Sequence, residues 1–277
     1  MIVSQRGDML LEDKSILTRT VRKYGNGAFF DEVDEVAAEF PLTVHLNGEE
    51  WATMVCSPSN LEELVVGFLA SEGIIRRFNE ISRLSIDQDK GFAYVQIDKL
   101  PEDRARNTSK RFIGSCCGKS RQFYFTNDML TARTVTSKTE LTALMAIHHM
   151  QELQNHSRDF HRTGGMHNAA ICSTTGIIQC YQDIGRHNAL DKLYGYCLMN
   201  HISVKDKVIA FSGRISSEVL LKISKMGIAI LLSKSAPTNL ALELADDLGI
   251  TAVGFIRGDR MNIYTHPERI TGTELHI

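Results

Sequence analysis

Apolar and polar positions divide the chain into a strand-rich first part and a second part in which strands and helices alternate. Residues 41–46 and 49–57 are strand-like runs on either side of Asn47-Gly48. Asn-Gly in that setting predicts a tight hairpin, because both central residues need positive φ. Residues 60–72 predict a helix: Leu64, Val65, Phe68 and Leu69 share one face, Asn60 and Glu63 resemble a capping box, and Gly73 stops it. Residues 81–87 and 92–97 predict a second hairpin. The polar stretch before Ala38 gives no assignment. A helix over 139–155 follows. After Gly164 come strands at 167–173 and 177–181 around a Thr174-Thr175-Gly176 turn, then a helix at 187–200. Strands at 207–212, 228–233 and 250–256 then alternate with helices at 215–226 and 238–248. That alternation implies parallel strands joined by right-handed crossovers. The expected fold class is mixed α+β and α/β, with a strand-rich unit over 1–135 and an α/β unit over 136–277.

Composition narrows the class. The 277 residues carry a formal net charge of -2, so no global basic field for nucleic acid exists. No apolar run is long enough to span a bilayer, and Met1 to Asp13 lacks the apolar core of a signal peptide. The expected setting is the cytoplasm, where thiols stay reduced. Cys56, Cys172, Cys180 and Cys197 lie in apolar segments and read as small buried hydrophobes. His148 and His149 are adjacent on a helix and face different directions, so they form no metal pair. No metal site is expected.

The chemistry concentrates elsewhere. Gly114-Ser-Cys-Cys-Gly-Lys-Ser-Arg121 sets Cys116 and Cys117 between glycines, with Arg111, Lys119 and Arg121 nearby. Cations favour thiolate, the nucleophilic form. A disulfide between the two neighbours is disfavoured, because adjacent Cα atoms lie about 3.8 Å apart and disulfides want roughly 4.4–6.8 Å. Gly118-Lys119-Ser120 ends like a phosphate-binding loop, but Gly114 leaves one intervening residue too few. Gly164-Gly165 before His167 reads as a backbone approach to a ligand or as a tight turn. Asp183-Ile-Gly-Arg-His-Asn-Ala-Leu-Asp191 offers Arg186 for a phosphate. In the same segment Asp191, four residues on, could orient His187; helix capping with a surface ion pair is the alternative. Ser212-Gly213-Arg214 and Ser233-Lys234-Ser235 follow predicted parallel strands, where α/β sheets bind anionic ligands. Phe255-Ile256-Arg257-Gly258-Asp259-Arg260 reads as a hairpin with a surface salt bridge, or as two guanidinium groups for a phosphate or guanine edge.

Taken together, these segments resemble the FdhD family of formate dehydrogenase accessory sulfurtransferases. The resemblance extends from Thr163-Gly-Gly-Met-His to Tyr264-Thr265. It is most specific at Asp183 to Lys192, Phe211-Ser-Gly-Arg214, Ser233-Lys-Ser-Ala-Pro-Thr238 and Gly254-Phe-Ile-Arg257. It implies a protein that takes sulfur from a cysteine desulfurase as a cysteine persulfide. The sulfur goes to the molybdenum or tungsten of a bis(molybdopterin guanine dinucleotide) cofactor destined for formate dehydrogenase. It also implies a cytidine-deaminase-like α/β/α C-terminal domain and a homodimer. The 255–260 segment matches the family's cofactor-binding stretch, and the Cys116-Cys117 segment its persulfide loop. Many relatives carry Cys-x-x-Cys there. Alignment from Ser115 selects Cys116 as the carrier, and alignment from Gly118-Lys119 selects Cys117. A cofactor-holding chaperone without sulfur chemistry is the alternative. A zinc nucleoside deaminase is disfavoured, because the only His-x-Glu, at His266, has no cysteine after it, and stoichiometric zinc in the purified protein would revive it.

Overall fold

The computed structural model describes residues 15–98, 111–113 (backbone only) and 132–272. The chain opens with a two-stranded hairpin, β1 (Ile16–Gly25) and β2 (Ala28–Ala37), turned at Asn26-Gly27. Both turn residues have positive φ, 53° and 81°, as two-residue hairpin turns require.

A five-stranded sheet follows. It contains β3 (Phe40–Leu46), β4 (Glu49–Cys56), β5 (Ile81–Asp87), β6 (Phe92–Ile97) and β7 (Arg111–Ile113), in the order β5-β6-β3-β4-β7. The expected Asn47-Gly48 turn joins β3 to β4, with φ of 51° and 89°. Leu42, Val44, Ala52, Met54, Ala93 and Val95 are buried under helix α1 (Leu61–Ser71). The helix starts one residue later than expected and without the capping box. Asn60 adopts φ 53°, and its side chain makes no cap hydrogen bond. In that left-handed conformation it serves as a turn residue. Gly73 ends the helix region with φ 73°.

The second sheet has six strands: β9 (His167–Cys172), β10 (Ile177–Asp183), β11 (Val208–Phe211), β12 (Ile230–Ser233), β13 (Thr251–Arg257) and β14 (Arg260–Ile263). Its order is β10-β9-β11-β12-β13-β14. As expected, β11, β12 and β13 are parallel, joined through α5 (Ser217–Met226) and α6 (Asn239–Leu248). These helices and α4 (Arg186–Met199) cover one face. Helix α2 (Ala143–Asn155) covers the other, giving three layers around a core rich in Ile, Leu, Val and Ala. Helix α2 begins four residues later than expected. Leu141–Thr142 instead forms β8, paired with β15 (Ile270–Thr271), and Thr142 caps the helix through Met145 N at 3.2 Å. Helix α3 (Arg158–Thr163) leads into β9.

The two sheets meet where α1 packs on α4. A Cβ on Gly67 would lie 1.7 Å from the Asp191 carbonyl oxygen, and one on Gly195 would lie 1.9 Å from that of Glu63. The helix backbones therefore touch directly. Around the contact, the Asp191 carboxylate accepts hydrogen bonds from Ser71 Oγ at 2.6 Å and Lys222 Nζ at 2.6 Å, and Lys225 Nζ donates to Ser71 O at 2.6 Å.

Candidate functional site

One edge of the six-stranded sheet collects strand ends and helix starts. The parallel strands β11 and β12 deliver loops 212–216 and 234–238 there, and β13 the turn at Gly258-Asp259 into β14. Strand β9 runs antiparallel to β11, so His167 begins at the same edge. Asn168 N donates to Ser212 Oγ at 2.9 Å, and Ser212 N to Asn168 O at 2.9 Å. Strand β10 ends there at Asp183, and α4 begins three residues later. The loops bind one another: Ser233 Oγ donates to Gly213 O at 2.7 Å, Ser235 Oγ to Ser212 O at 3.2 Å, and Phe255 N to Ser235 O at 3.2 Å. Gly213, Ser235, Phe255, His167 and Arg186 thus share one ledge. The α4, α5 and α6 amino termini open beside it, where unpaired N–H groups favour anions.

At the β13 end, Phe255 has φ 53°, a genuine outlier for a bulky side chain. Its ring stays partly exposed, and the Arg257 guanidinium lies 5.7 Å from the ring centroid. Arg257 stands opposite Arg260 across the hairpin, turned at Gly258-Asp259. Arg260 Nε lies 3.9 Å from Asp259 Oδ1 with both side chains almost fully exposed, so the expected hairpin with a surface ion pair is present. Two arginines directly opposed on a β ladder repel each other, and an anion between them would relieve that. Arg257 Nε donates to Lys234 O at 3.4 Å, and Lys234 and Arg214 are both exposed.

At the β10 end, burial pushes the His167 imidazole below its ordinary pKa, helped by the nearby Arg186 charge and opposed by Asp183. The ring is therefore neutral near pH 7. The Arg186 Nε is buried and meets no acceptor among the described residues. A Cβ on Gly213 would lie 3.5 Å from Arg186 Cβ, so the two are adjacent.

Other expected positions take different roles. His187 and Asp191 do not pair. His187 Nε2 lies 3.2 Å from Glu218 Oε2 on α5, while Asp191 is engaged by Lys222 and Ser71. Helix α5 claims both side chains, through Glu218 and Lys222, which shared spacing on α4 could not reveal. Gly164 caps α3 with φ 68°, Gly165 abuts Ala37, and Arg162 forms a bidentate pair with Glu35 of the first hairpin.

The residues that sequence reading passed over are Ser57, Asn188 and Lys192. Asp183 and Lys192 are wholly buried with Nζ 2.7 Å from Oδ2, and Ser57 N and Asn188 Nδ2 donate to the same carboxylate. The available signal was a charged pair, Asp191-Lys192, set between Leu190 and Leu193 on an otherwise buried helix face.

Burial raises the thiols of Cys172, Cys180 and Cys197 to about 12, and raises that of Cys56 as well. All four stay protonated, as small hydrophobes do. Cys180 is half-buried, less enclosed than the other three. Cys116 and Cys117 lie outside the described residues. Ile113, three residues before Cys116, ends β7, which pairs in parallel with Ala52–Met54 of β4.

The architecture defines a mixed α/β protein, an open sheet joined through paired helices to an α/β/α sandwich. Residues 37–271 match the FdhD/NarQ family, and the chain belongs to it. It is 57% identical over 252 residues to the sulfur carrier protein FdhD of Geobacillus kaustophilus, covering 91% of this chain and 96% of that relative. It is 55% identical over 258 residues to the protein of the same name from Staphylococcus aureus, covering 93% and 97%. The fold is similar to the crystal structure of a protein from Desulfotalea psychrophila described as a formate dehydrogenase accessory protein. The TM-score is 0.76 at 25% identity, over 92% of this chain and 99% of that one.

Proposed function

We propose that this chain is a sulfurtransferase that carries sulfur on Cys116 or Cys117 and delivers it to the metal of a bis(molybdopterin guanine dinucleotide) cofactor for formate dehydrogenase. In this reading residues 1–135 bear the thiol and residues 136–277 hold the cofactor, in a cytoplasmic homodimer served by a cysteine desulfurase. The observation that carries it is the path of the chain. It leaves Ile113 in register with Met54, and β4 continues within three residues to Ser57, whose N–H binds Asp183 at the ledge. In this reading Ile113, the last described residue before the two cysteines, brings their segment out from a strand bound to β4, whose end reaches the surface that suits the cargo.

The chemistry is a thiol exchange. A thiolate at Cys116 or Cys117 attacks the outer sulfur of the donor's persulfide. The donor S–S bond breaks, the donor cysteine leaves as thiolate, and a persulfide remains on this chain. Arg111, Lys119 and Arg121 favour the attacking thiolate. The ledge suits the cargo's ends. The Phe255 ring offers a stacking face for guanine, while Arg257, Arg260, Lys234 and Arg186 offer charge to pyrophosphate.

The test is to incubate the purified protein with a cysteine desulfurase and labelled cysteine, alkylate, and map the adduct by mass spectrometry. The expected result is a persulfide on Cys116 or Cys117, and loss of formate dehydrogenase maturation in the double alanine variant. The ledge also fits a chaperone that only holds the cofactor. That reading predicts an unlabelled protein beside an active desulfurase, with maturation lost in Arg257→Ala instead.

A further inference from the structure

We infer that Asp183 is a positioning residue, a buried clamp that fixes the end of β4, whose neighbour β7 leads to the cysteine segment, against the cofactor ledge; this rests on the sulfur-transfer reading. Four N–H donors converge on its carboxylate. Ser57 N at 3.1 Å and Lys192 Nζ at 2.7 Å bind Oδ2, and Gly185 N and Asn188 Nδ2, both at 2.8 Å, bind Oδ1. The cluster joins the two sheets three times over. Ser57 N reaches Asp183, Asn188 Nδ2 also reaches Val55 O at 2.8 Å, and Ile184 N reaches Ser57 Oγ at 3.1 Å. Lys192 also donates to Gln182 O at 3.0 Å.

A buried ion pair of this kind is a poor way to gain stability. Desolvation offsets most of its attraction, and well-packed apolar residues often serve as well. Directional hydrogen bonds do what apolar packing does not: they fix orientation. Both partners here lead to function. Val55 and Ser57 flank Cys56, the last residue of β4, which pairs with the strand that precedes Cys116. Asp183 pairs with His167 across the β9–β10 ladder, and Gly185 leads directly into Arg186. The α1–α4 contact holds the two sheets together along one helix pair. The Asp183 cluster is a second point of attachment, and two points fix the angle. In sulfur delivery that angle sets how the persulfide meets the cargo, whereas loading by a separate desulfurase does not depend on it.

The test uses the full chain with the paired substitution Asp183→Asn and Lys192→Met, which removes both charges together. Three quantities are read: persulfide loading by a desulfurase, activity gained by sulfur-free formate dehydrogenase, and melting temperature. The expected result is loading within about twofold of the unaltered protein, with delivery reduced on the order of 100-fold, the scale of an ångström-size misplacement. Delivery equal to the unaltered protein overturns the assignment. So does a parallel fall in loading and delivery, the pattern of a merely structural role. If the pair does not fold, Ser57→Ala decides. It removes the Ile184 N acceptor and leaves the Asp183–Lys192 pair in place. Roughly tenfold weaker delivery at full loading supports the clamp, and unchanged delivery overturns it. Failure of the unaltered protein to load sulfur overturns the underlying sulfur-carrier reading, and is distinguished from failure of the clamp by appearing without any substitution.

Discussion

Phe255 holds a backbone conformation that costs an L residue about 1–2 kcal/mol. It recovers little of this by burial, since the residue stays 37% exposed. Such strain persists where the surroundings impose it and function uses it. Here the strand bulges between Gly254 and Arg257, and the Phe255 N–H is held by Ser235 O. Phe255→Gly separates the two effects. Glycine adopts positive φ freely, so urea denaturation should show stability unchanged or raised by about 1 kcal/mol. The stacking face is lost, so affinity for guanosine diphosphate, read by calorimetry, should fall about tenfold or more. Lower stability with unchanged affinity would mean that the ring serves packing instead. The arginines and glycines of the ledge were legible because strand ends of α/β sheets bind ligands. The strain at Phe255 was not, because backbone dihedrals set by a bulge leave no mark on composition. The His187–Asp191 pairing that spacing allowed is not formed, because Glu218 and Lys222 of α5 engage the two side chains, and partners from another helix leave no mark on local spacing.

At the scale of elements, periodicity gave the parallel strands and their helices, because buried strands with amphipathic crossovers write a strong pattern. It gave nothing for the hairpin of β1 and β2, although Asn26-Gly27 was there to be read. Leu17, Tyr24, Phe29, Phe30 and Val33 are exposed, and charges alternate among them, so no buried face imposes a period of two. The helix pair makes a sharper case. Gly67 and Gly195 sit inside helices, where alanine would ordinarily be preferred by about 1 kcal/mol. Against that stands a Cβ within 2 Å of a carbonyl oxygen in both helices. Overpacking costs about 1–3 kcal/mol where side chains can shift, and more where backbone must. Contact therefore outweighs propensity. Gly67→Ala or Gly195→Ala should destabilise the protein by about 3 kcal/mol or more in urea denaturation. A gain of about 1 kcal/mol would mean the helices stand further apart.

At the scale of the molecule, the sequence shows two consecutive stretches of different pattern but not how they are joined. The joining bonds are long-range: Ser57 to Asp183 spans 126 residues, and Lys225 to Ser71 spans 154. Local pattern carries no trace of such pairs, only the oddity of full charges on buried positions. The joint has a measurable consequence. Each sheet has its own apolar cluster, yet Tyr194, Leu198 and Met199 of α4 pack on the first cluster while Leu190 and Leu193 belong to the second. Losing one sheet would strip apolar cover from a helix of the other and remove the Ser71 hydrogen bonds of Asp191 and Lys225. Leaving a buried polar group without its hydrogen bond costs about 1–3 kcal/mol. Neither part should therefore melt alone. The protein supplies its own reporters. Trp51, its single tryptophan, lies 4% exposed against Phe68 in the first cluster. The far-ultraviolet dichroism at helical wavelengths is dominated by α2, α4, α5 and α6, which belong to the second sheet. In urea the fluorescence and dichroism transitions should coincide, as a cooperative two-state unit requires. A tryptophan transition that clearly precedes the dichroism would show that the joint is soft. It would also remove the fixed geometry on which sulfur delivery from one part to the other depends.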